Sequence, residues 1–411
     1  MLAAYIALDK AIAAANTSIE AYEKLVKAQT TLAEAIAEFS ATASDDAVSE
    51  ANGLKATLDA GIENGTIALE NVQETVDDVA TAVAKLQIPD FDKKAYPYDL
   101  TFAIKNPKFT EDLVDGKVPG WQYNESEDYA ALSVANGIAE GYVGGQVDEA
   151  SGERVASKKG FQIWQTIETL PDGRPLPAGV YEIHAQGVAR LCANDSNVAL
   201  GFADPDANVR KEALNAHLDQ IAQFYANGVK TTICNLYELP ASKDEKDLLS
   251  NNLDISDWYQ ISFDGDVDEN TGEPRVYYIA NNRSQLAQRF AHSRYNDDGE
   301  VDAELTKDSP WYDNTIKFAV AEDGKITFGW GTDNAAPDTW APMTNFRLFM
   351  TGGTDDPSYE EMLTGISIQE NNVAGSAVKA IYSIDGRQVN GLQRGLNIVK
   401  TNGAVKKVIV K

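Results

Sequence analysis

The chain has 411 residues, 43% of them hydrophobic and 24% charged, with a formal net charge of −28. That length allows two to four domains with a sizeable core, while the acidic balance excludes a binder of nucleic-acid backbone, which it would repel. No apolar run reaches the roughly 20 residues that span a bilayer, so no transmembrane segment is expected.

Residues 1 to 90 read as a helical bundle. Leu69, Val72, Val76, Val79, Val83 and Leu86 recur at steps of three and four, the spacing of a narrow helical seam. Val48, Leu54, Leu58 and Ile62 give a second stripe. A third runs through Tyr5, Leu8 and Ile12, then Ile19, Tyr22 and Val26, then Leu32, Ile36 and Phe39. Ser44, Asp45 and Asp46 offer N-cap oxygens to the middle helix, and Asn64-Gly65 offers a left-handed stop. Three antiparallel helices are expected, each stripe facing the shared core, with a kink in the first near Asn16, Thr17 and Ser18. The bundle is read as a spacer or a site for a protein partner, against the plainer reading of packing alone. Its opening, MLAAYIALDK, lacks a basic region and a cleavage site, so the signal of an exported protein is expected to lie outside this sequence.

Ile88-Pro89 ends the helices, because the residue before proline avoids the α region. From 98 to 354 the chain shows short strands punctuated by Gly, Pro, Asn and Asp, the rhythm of a β-sandwich or jelly roll. Its clearest stretch is Phe161 to Arg190. Ile163, Gln165 and Ile167 alternate with Trp164, Thr166 and Glu168; after PDGRPLPAG, Tyr181, Ile183 and Ala185 alternate with Glu182, His184 and Gln186. Period-two alternation on either side of a proline- and glycine-rich turn predicts a β-turn-β unit inside an antiparallel sheet. Leu214, Leu218, Ile221 and Tyr225, followed by Asn227-Gly228, predict a helical insertion that stops at the Asn-Gly pair. Asp244 to Leu249 predicts another short helical turn. Two loops share the pattern V-D-E-x-x-G-E, at Val147 to Glu153 and Val267 to Glu273, and read as hairpin tips. Asp355-Asp356-Pro357 opens a linker to a small β unit at 365 to 411. Cys192 and Cys234 are too few for a disulfide framework; they are read as small buried hydrophobes, with a bond between them as the alternative.

Asn106 to Phe109 with Gly120-Trp121, the strand pair Phe161 to Val180 closed by Ala189-Arg190, Tyr278 to Asn282 with Phe290 and Tyr295, and Lys325 to Gly329 with Trp340 and Asn345 to Leu348 form a recurring set. Through these residues the middle domain resembles the galactose-binding-like jelly roll of carbohydrate-binding modules, in the form common in surface and secreted proteins of Bacteroidetes. The likeness implies a glycan or polysaccharide ligand. It also implies a structural Ca²⁺ near the Asn-Phe pair, but Thr344 stands where the family carries Asp. Loss of that charged oxygen argues against a metal there, and no cofactor is expected. The tail resembles the sorting domain read by the type IX secretion system, through Ala380 to Val389 (AIYSIDGRQV), Gly395 to Val399 (GLNIV) and Lys406 to Val410 (KKVIV), although Leu396-Asn397 departs from the usual aromatic. That likeness implies an extracellular or outer-membrane-surface location.

Sugar-binding surfaces need flat aromatics beside amides, carboxylates and guanidinium groups. Trp330 and Trp340 sit in FGWGTDNAAPDTW, where glycines and polar residues predict a loop. With Asp333 and Asn334 they form the expected platform; the competing reading makes each tryptophan the cover of a sandwich end. Arg190 is a candidate clamp for acidic sugars, as is Arg294, and His184 is a candidate contact beside Glu182. Asp264, Asp266 and Asp268 begin like a calcium loop but place Glu269 and Arg275 where glycine and a bidentate acid are needed. The three histidines show no zinc spacing, and no nucleophile elbow or phosphate loop occurs. No catalytic residue and no metal ligand is therefore assigned. The expected protein is a non-catalytic, extracellular glycan binder. The alternative is an adhesion or scaffold protein that binds a protein partner through its bundle; a polysaccharide-active enzyme is the third reading.

Overall fold

A computed structural model describes residues 2–193, 200–204, 206–237, 255–262, 267, 272–274, 276–295, 300–364, 380–383, 388–389, 395–400 and 405–410. The chain divides into two compact units, Met1–Phe102 and Ala103–Lys411. The aspartates at 264, 266 and 268 and the turn expected at 244–249 lie outside the described residues.

The first unit is a helical bundle of α1 (Leu2–Phe39), α2 (Asp45–Glu63) and α3 (Val72–Gln87). The Ser44 side chain caps α2 by accepting from the Ala47 N–H, and Gly65 takes a positive φ after its end, as the local sequence requires. The core gathers Leu25, Ala28, Leu32 and Ala35 of α1, Ala51 and Leu58 of α2, and Val72, Val79, Ala82 and Leu86 of α3. Two expectations fail in α1. It runs unbroken through Asn16 to Ser18, where the Thr17 and Ser18 hydroxyls bond back to the Ala13 and Ala14 carbonyls. And its stripe is buried only in its last third: Tyr5, Leu8, Ile12, Ile19 and Tyr22 are exposed. Two causes combine: the buried residues Leu25, Ala28, Leu32 and Ala35 run one residue out of step with Ile19, Tyr22 and Val26, and α1 is long. At about 1.5 Å per residue, α1 with 38 residues outreaches α2 with 19 and α3 with 16.

The second unit contains a β-sandwich. Its ten principal strands are β1 (Gln122–Tyr123), β2 (Ser133–Ala135), β3 (Ile138–Tyr142), β4 (Phe161–Ile167), β5 (Gly179–Gly187), β6 (Gln223–Ala226), β7 (Val229–Thr232), β8 (Asp313–Val320), β9 (Ile326–Thr332) and β10 (Trp340–Gly352). One sheet has the order β8-β5-β10-β3-β2 and the other β7-β6-β9-β4-β1, with every pairing antiparallel. Between them lie aromatic rings from both: Phe346 of β10 meets Trp330 and Phe328 of β9, and Phe224 of β6 meets Phe346. Phe109 and Trp121 complete this core.

The alternation expected in 161–190 holds through β4 and as far as Ala185, but Gln186, expected on the same face as Glu182 and His184, is buried, its amide donating to the Phe290 and Trp311 carbonyls. Inward Phe161, Ile163, Gln165 and Ile167 are buried, whereas Gln162, Trp164 and Thr166 are partly exposed. The two strands do not pair with each other, however: β4 belongs to one sheet and β5 to the other. PDGRPLPAG is an arch across the sandwich rather than a hairpin within a sheet, which lets both strands bury one face in the same core.

The helical insertion is half right. α4 spans Ala207–Ala216, but Gln223–Ala226 is strand β6. Asn227 and Gly228 both have positive φ, at 45° and 85°, and join β6 to β7. Asn-Gly here is a hairpin turn, which needs two left-handed residues, and not a helix stop. The first V-D-E-x-x-G-E loop tips a hairpin, with Gly145–Val147 paired to Arg154–Ala156. Later in the unit come α5 (Arg283–Ala291), α6 (Ala303–Asp308) and α7 (Tyr359–Thr364). A four-stranded antiparallel sheet formed by β11 (Ala380–Ser383), β12 (Gln388–Val389), β13 (Gly395–Lys400) and β14 (Val405–Val410) ends the chain. Cys192 and Cys234 carry thiols and form no disulfide.

Candidate functional site

Trp330 is not part of a binding platform. It lies inside β9, is fully buried at 0% exposure, and packs on Phe109, Trp121 and Phe346. Its indole N–H donates to the Ala341 carbonyl at 2.9 Å. The glycines that suggested a loop are strand residues facing β4. A Cβ at Gly329 would strike the Ile163 carbonyl, and one at Gly331 the Phe161 carbonyl. Close backbone approach, not turn geometry, requires glycine there.

The true loop is shorter, from Asp333 to Thr339, and joins β9 to β10. Asp333 is exposed and accepts from the Tyr129 hydroxyl at 2.9 Å. Asn334 is exposed and its amide donates to Asp219 at 3.2 Å. At the far end, the Thr339 hydroxyl sits 2.6 Å from the Leu191 carbonyl and 2.8 Å from that of Ala336.

Asp338 is the centre of the rim. It is 4% exposed and has a φ of 65°. Arg154 donates to its two carboxylate oxygens from Nε at 2.5 Å and Nη2 at 2.8 Å, and the Tyr142 hydroxyl donates at 3.0 Å. The Arg154 hydrogen bonds hold the Asp338 carboxyl below its ordinary pKa, against the opposing effect of burial. Burial, followed by Asp338, raises that of the Tyr142 phenol. Both partners face outward: Tyr142 is 42% exposed, and the Arg154 side chain 53%.

Trp340 opens β10 and is 4% exposed, so its ring is not a free stacking face. Its N–H donates to Glu140 at 2.6 Å, and Glu140 meets Arg283 at 3.3 Å. The Arg190 guanidinium lies 5.0 Å over the ring, near enough for a cation–π contact. Arg190 Nη1 donates to Asn281 at 2.7 Å, and the backbones of Arg190 and Trp340 exchange hydrogen bonds. Arg190 and Trp340 are thus brought together, as a supporting layer beneath the rim rather than as its face.

His184 is not brought to this rim. It pairs in register with Arg347 of β10, seven residues beyond Trp340, about 20 Å along a strand. There its Nδ1 lies 3.0 Å from Asp313 and 2.9 Å from the Thr315 hydroxyl, while Arg347 bonds Asp313 at 2.7 Å. Arg294 stacks on Trp311, 4.2 Å from the ring centre, and donates to the Ser309 carbonyl.

The place where the resemblance would put Ca²⁺ does not fit that ion. The Thr344 hydroxyl donates to the Gly137 carbonyl at 2.6 Å, and Asn106 Oδ1 accepts from the N–H groups of Thr110 and Glu111. Calcium sites combine neutral oxygens such as these with carboxylate charge, and Thr344 supplies none.

Sequence reasoning missed Tyr142, Arg154, Asp338, Glu140 and Arg283. Asp338 stood two residues from a singled-out tryptophan, and Arg154 at the foot of a recognised hairpin. The others carried no local signal. No family model, no curated protein and no solved structure matches this chain. No helix among the described residues is long and apolar enough to cross a membrane.

Proposed function

We propose that this is a non-catalytic, exported protein whose sandwich is a galactose-binding-like jelly roll and binds glycan at the 333–339 rim. One observation carries the reading: an exposed Tyr142 ring and a half-exposed Arg154 fork converge on a buried, anionic Asp338, in the loop that also carries the exposed Asp333 and Asn334. An aromatic face with fixed polar groups around it suits the apolar and hydroxyl surfaces of a sugar ring. The Asp338 carboxylate is engaged by Arg154 and Tyr142, which gives it the role of orienting those two groups toward a ligand. Export rests on the likeness of the tail to a type IX sorting domain. The test is a glycan array followed by calorimetry on the full chain. Saturable binding that Tyr142→Ala weakens about three- to tenfold supports the reading; absence of binding, or release of products from polysaccharide, removes it.

A further inference from the structure

We propose that the exposed part of α1 pairs with the same segment of a second copy, antiparallel and about a two-fold axis. This inference is independent of the glycan reading. The seam Tyr5, Leu8, Ile12, Ala15, Ile19 and Tyr22 keeps steps of three and four without interruption, the spacing that two supercoiled helices need. Tyr5 is 64% exposed, Ile12 50% and Ile19 56%, although each belongs to a regular apolar stripe. Further along, α1 turns a neighbouring face to the bundle, through Leu25, Ala28, Leu32 and Ala35, while Val26, next on the seam, is 36% exposed and the Gln29 amide donates to Asp59 at 2.7 Å. α2 ends four residues beyond Asp59, at Glu63, and α1 continues alone. A stretch of about 20 residues with an open apolar face is only marginally helical in water by itself.

The order of side chains identifies the occupant. In an antiparallel pair, each a position shares a layer with a d position of the partner. Centring the axis between Ile12 and Ala15 matches Tyr5 with Tyr22, Leu8 with Ile19, and Ile12 with Ala15 of the second chain. The seam reads nearly the same in both directions, so it complements itself, as a two-fold interface must. Large side chains meet small ones at the centre, whereas a parallel pair would stack Ala15 on Ala15 and leave a void. A parallel pair would also bring the second α1 against the end of α2.

Charge selects the register. In this alignment Asp9 flanks Asn16 of the second chain, and Ala11 flanks Ser18, so no like charges face each other. Sliding by one heptad would set Asp9 against Glu23 twice. The segment 2–24 carries two lysines and three acids, a net charge of −1, in a chain of −28. It is therefore a place where two such acidic chains approach with little repulsion.

The experiment is sedimentation equilibrium of the full chain across about 1–200 μM, a range suited to a weak two-helix contact. A monomer–dimer equilibrium is expected, abolished by Ile12→Asp together with Ile19→Asp. A chain that stays monomeric, or one whose dimer survives that double change, overturns the proposal. Asn16→Lys and Asn16→Asp read the register. Facing Asp9 twice, they should tighten and loosen the dimer by roughly threefold each, whereas equal affinities for the two variants would overturn the antiparallel alignment.

Discussion

Trp330 and Trp340 lie ten residues apart on neighbouring stretches of the chain, and both are buried, yet they do opposite work. Around Trp330 the neighbours are rings, and the indole N–H is satisfied by a backbone carbonyl. Around Trp340 they are Glu140, Arg190 and, through Glu140, Arg283, and the N–H is satisfied by a carboxylate. The first environment gains its stability from apolar area removed from water. The second gains little that way, because it must keep several charges partly hydrated, and in exchange it holds polar groups in fixed directions at the surface. A buried tryptophan is therefore evidence of a core only after its neighbours are known.

The sharpest way to break this contrast is Trp330→Ala, which should cost about 3–5 kcal/mol through the cavity it leaves. Urea unfolding of the full chain measures it, and a loss under about 1 kcal/mol would mean that the aromatic core is not the main support of the sandwich. Asp338→Ala should cost less, about 1–2 kcal/mol, since both hydrogen-bond partners can turn to water. The same residue gives a pH signature. Its carboxyl titrates lower in the folded chain than in the unfolded one, so its contribution is complete well above about pH 4 and is lost as pH falls through the depressed folded value. Thermal melts from pH 7 down to pH 2 should show a shallower acid limb in Asp338→Asn than in the parent; parallel limbs would remove Asp338 as a source of acid sensitivity.

Tyr142→Ala should cost about 0.5–1.5 kcal/mol, because the half-buried side chain loses its hydrogen bond to Asp338, while still reducing glycan affinity. A large stability loss would place Tyr142 with the core instead of the rim. The smallest expected effect is chemical. Burial pushes the Cys192 thiol up to about 11, so at pH 8 it should react with a thiol reagent far more slowly than in the unfolded chain. Rapid labelling of Cys192 in the native protein, followed by mass spectrometry, would show that this part of the rim opens.

The arch at 161–190 and α1 show how far local pattern reaches. Alternation named the inward residues of β4 correctly, because a side chain's face depends only on its own strand. It did not name the strand's partner, because hydrogen-bond pairing joins residues such as Trp330 and Ile163 that are far apart in the chain. In α1 the stripe was legible, but its burial was not, since that depends on which face α2 and α3 take and on where they end. Glycine misled twice over β9 for the same reason: the need for a missing Cβ can arise from a turn or from a neighbouring backbone, and only the neighbour tells which.

Periodicity, caps and turn residues by themselves determined that a helical bundle precedes a sandwich of antiparallel strands, and which faces are apolar, because those preferences act within a few residues. The tertiary structure alone decided that Trp330 is core, that Trp340 and Arg190 back a rim centred on Asp338, that His184 stands apart, and that half of α1 lacks a partner within its own bundle. Each of these depends on residues tens to hundreds of positions away, whose meeting is set by packing.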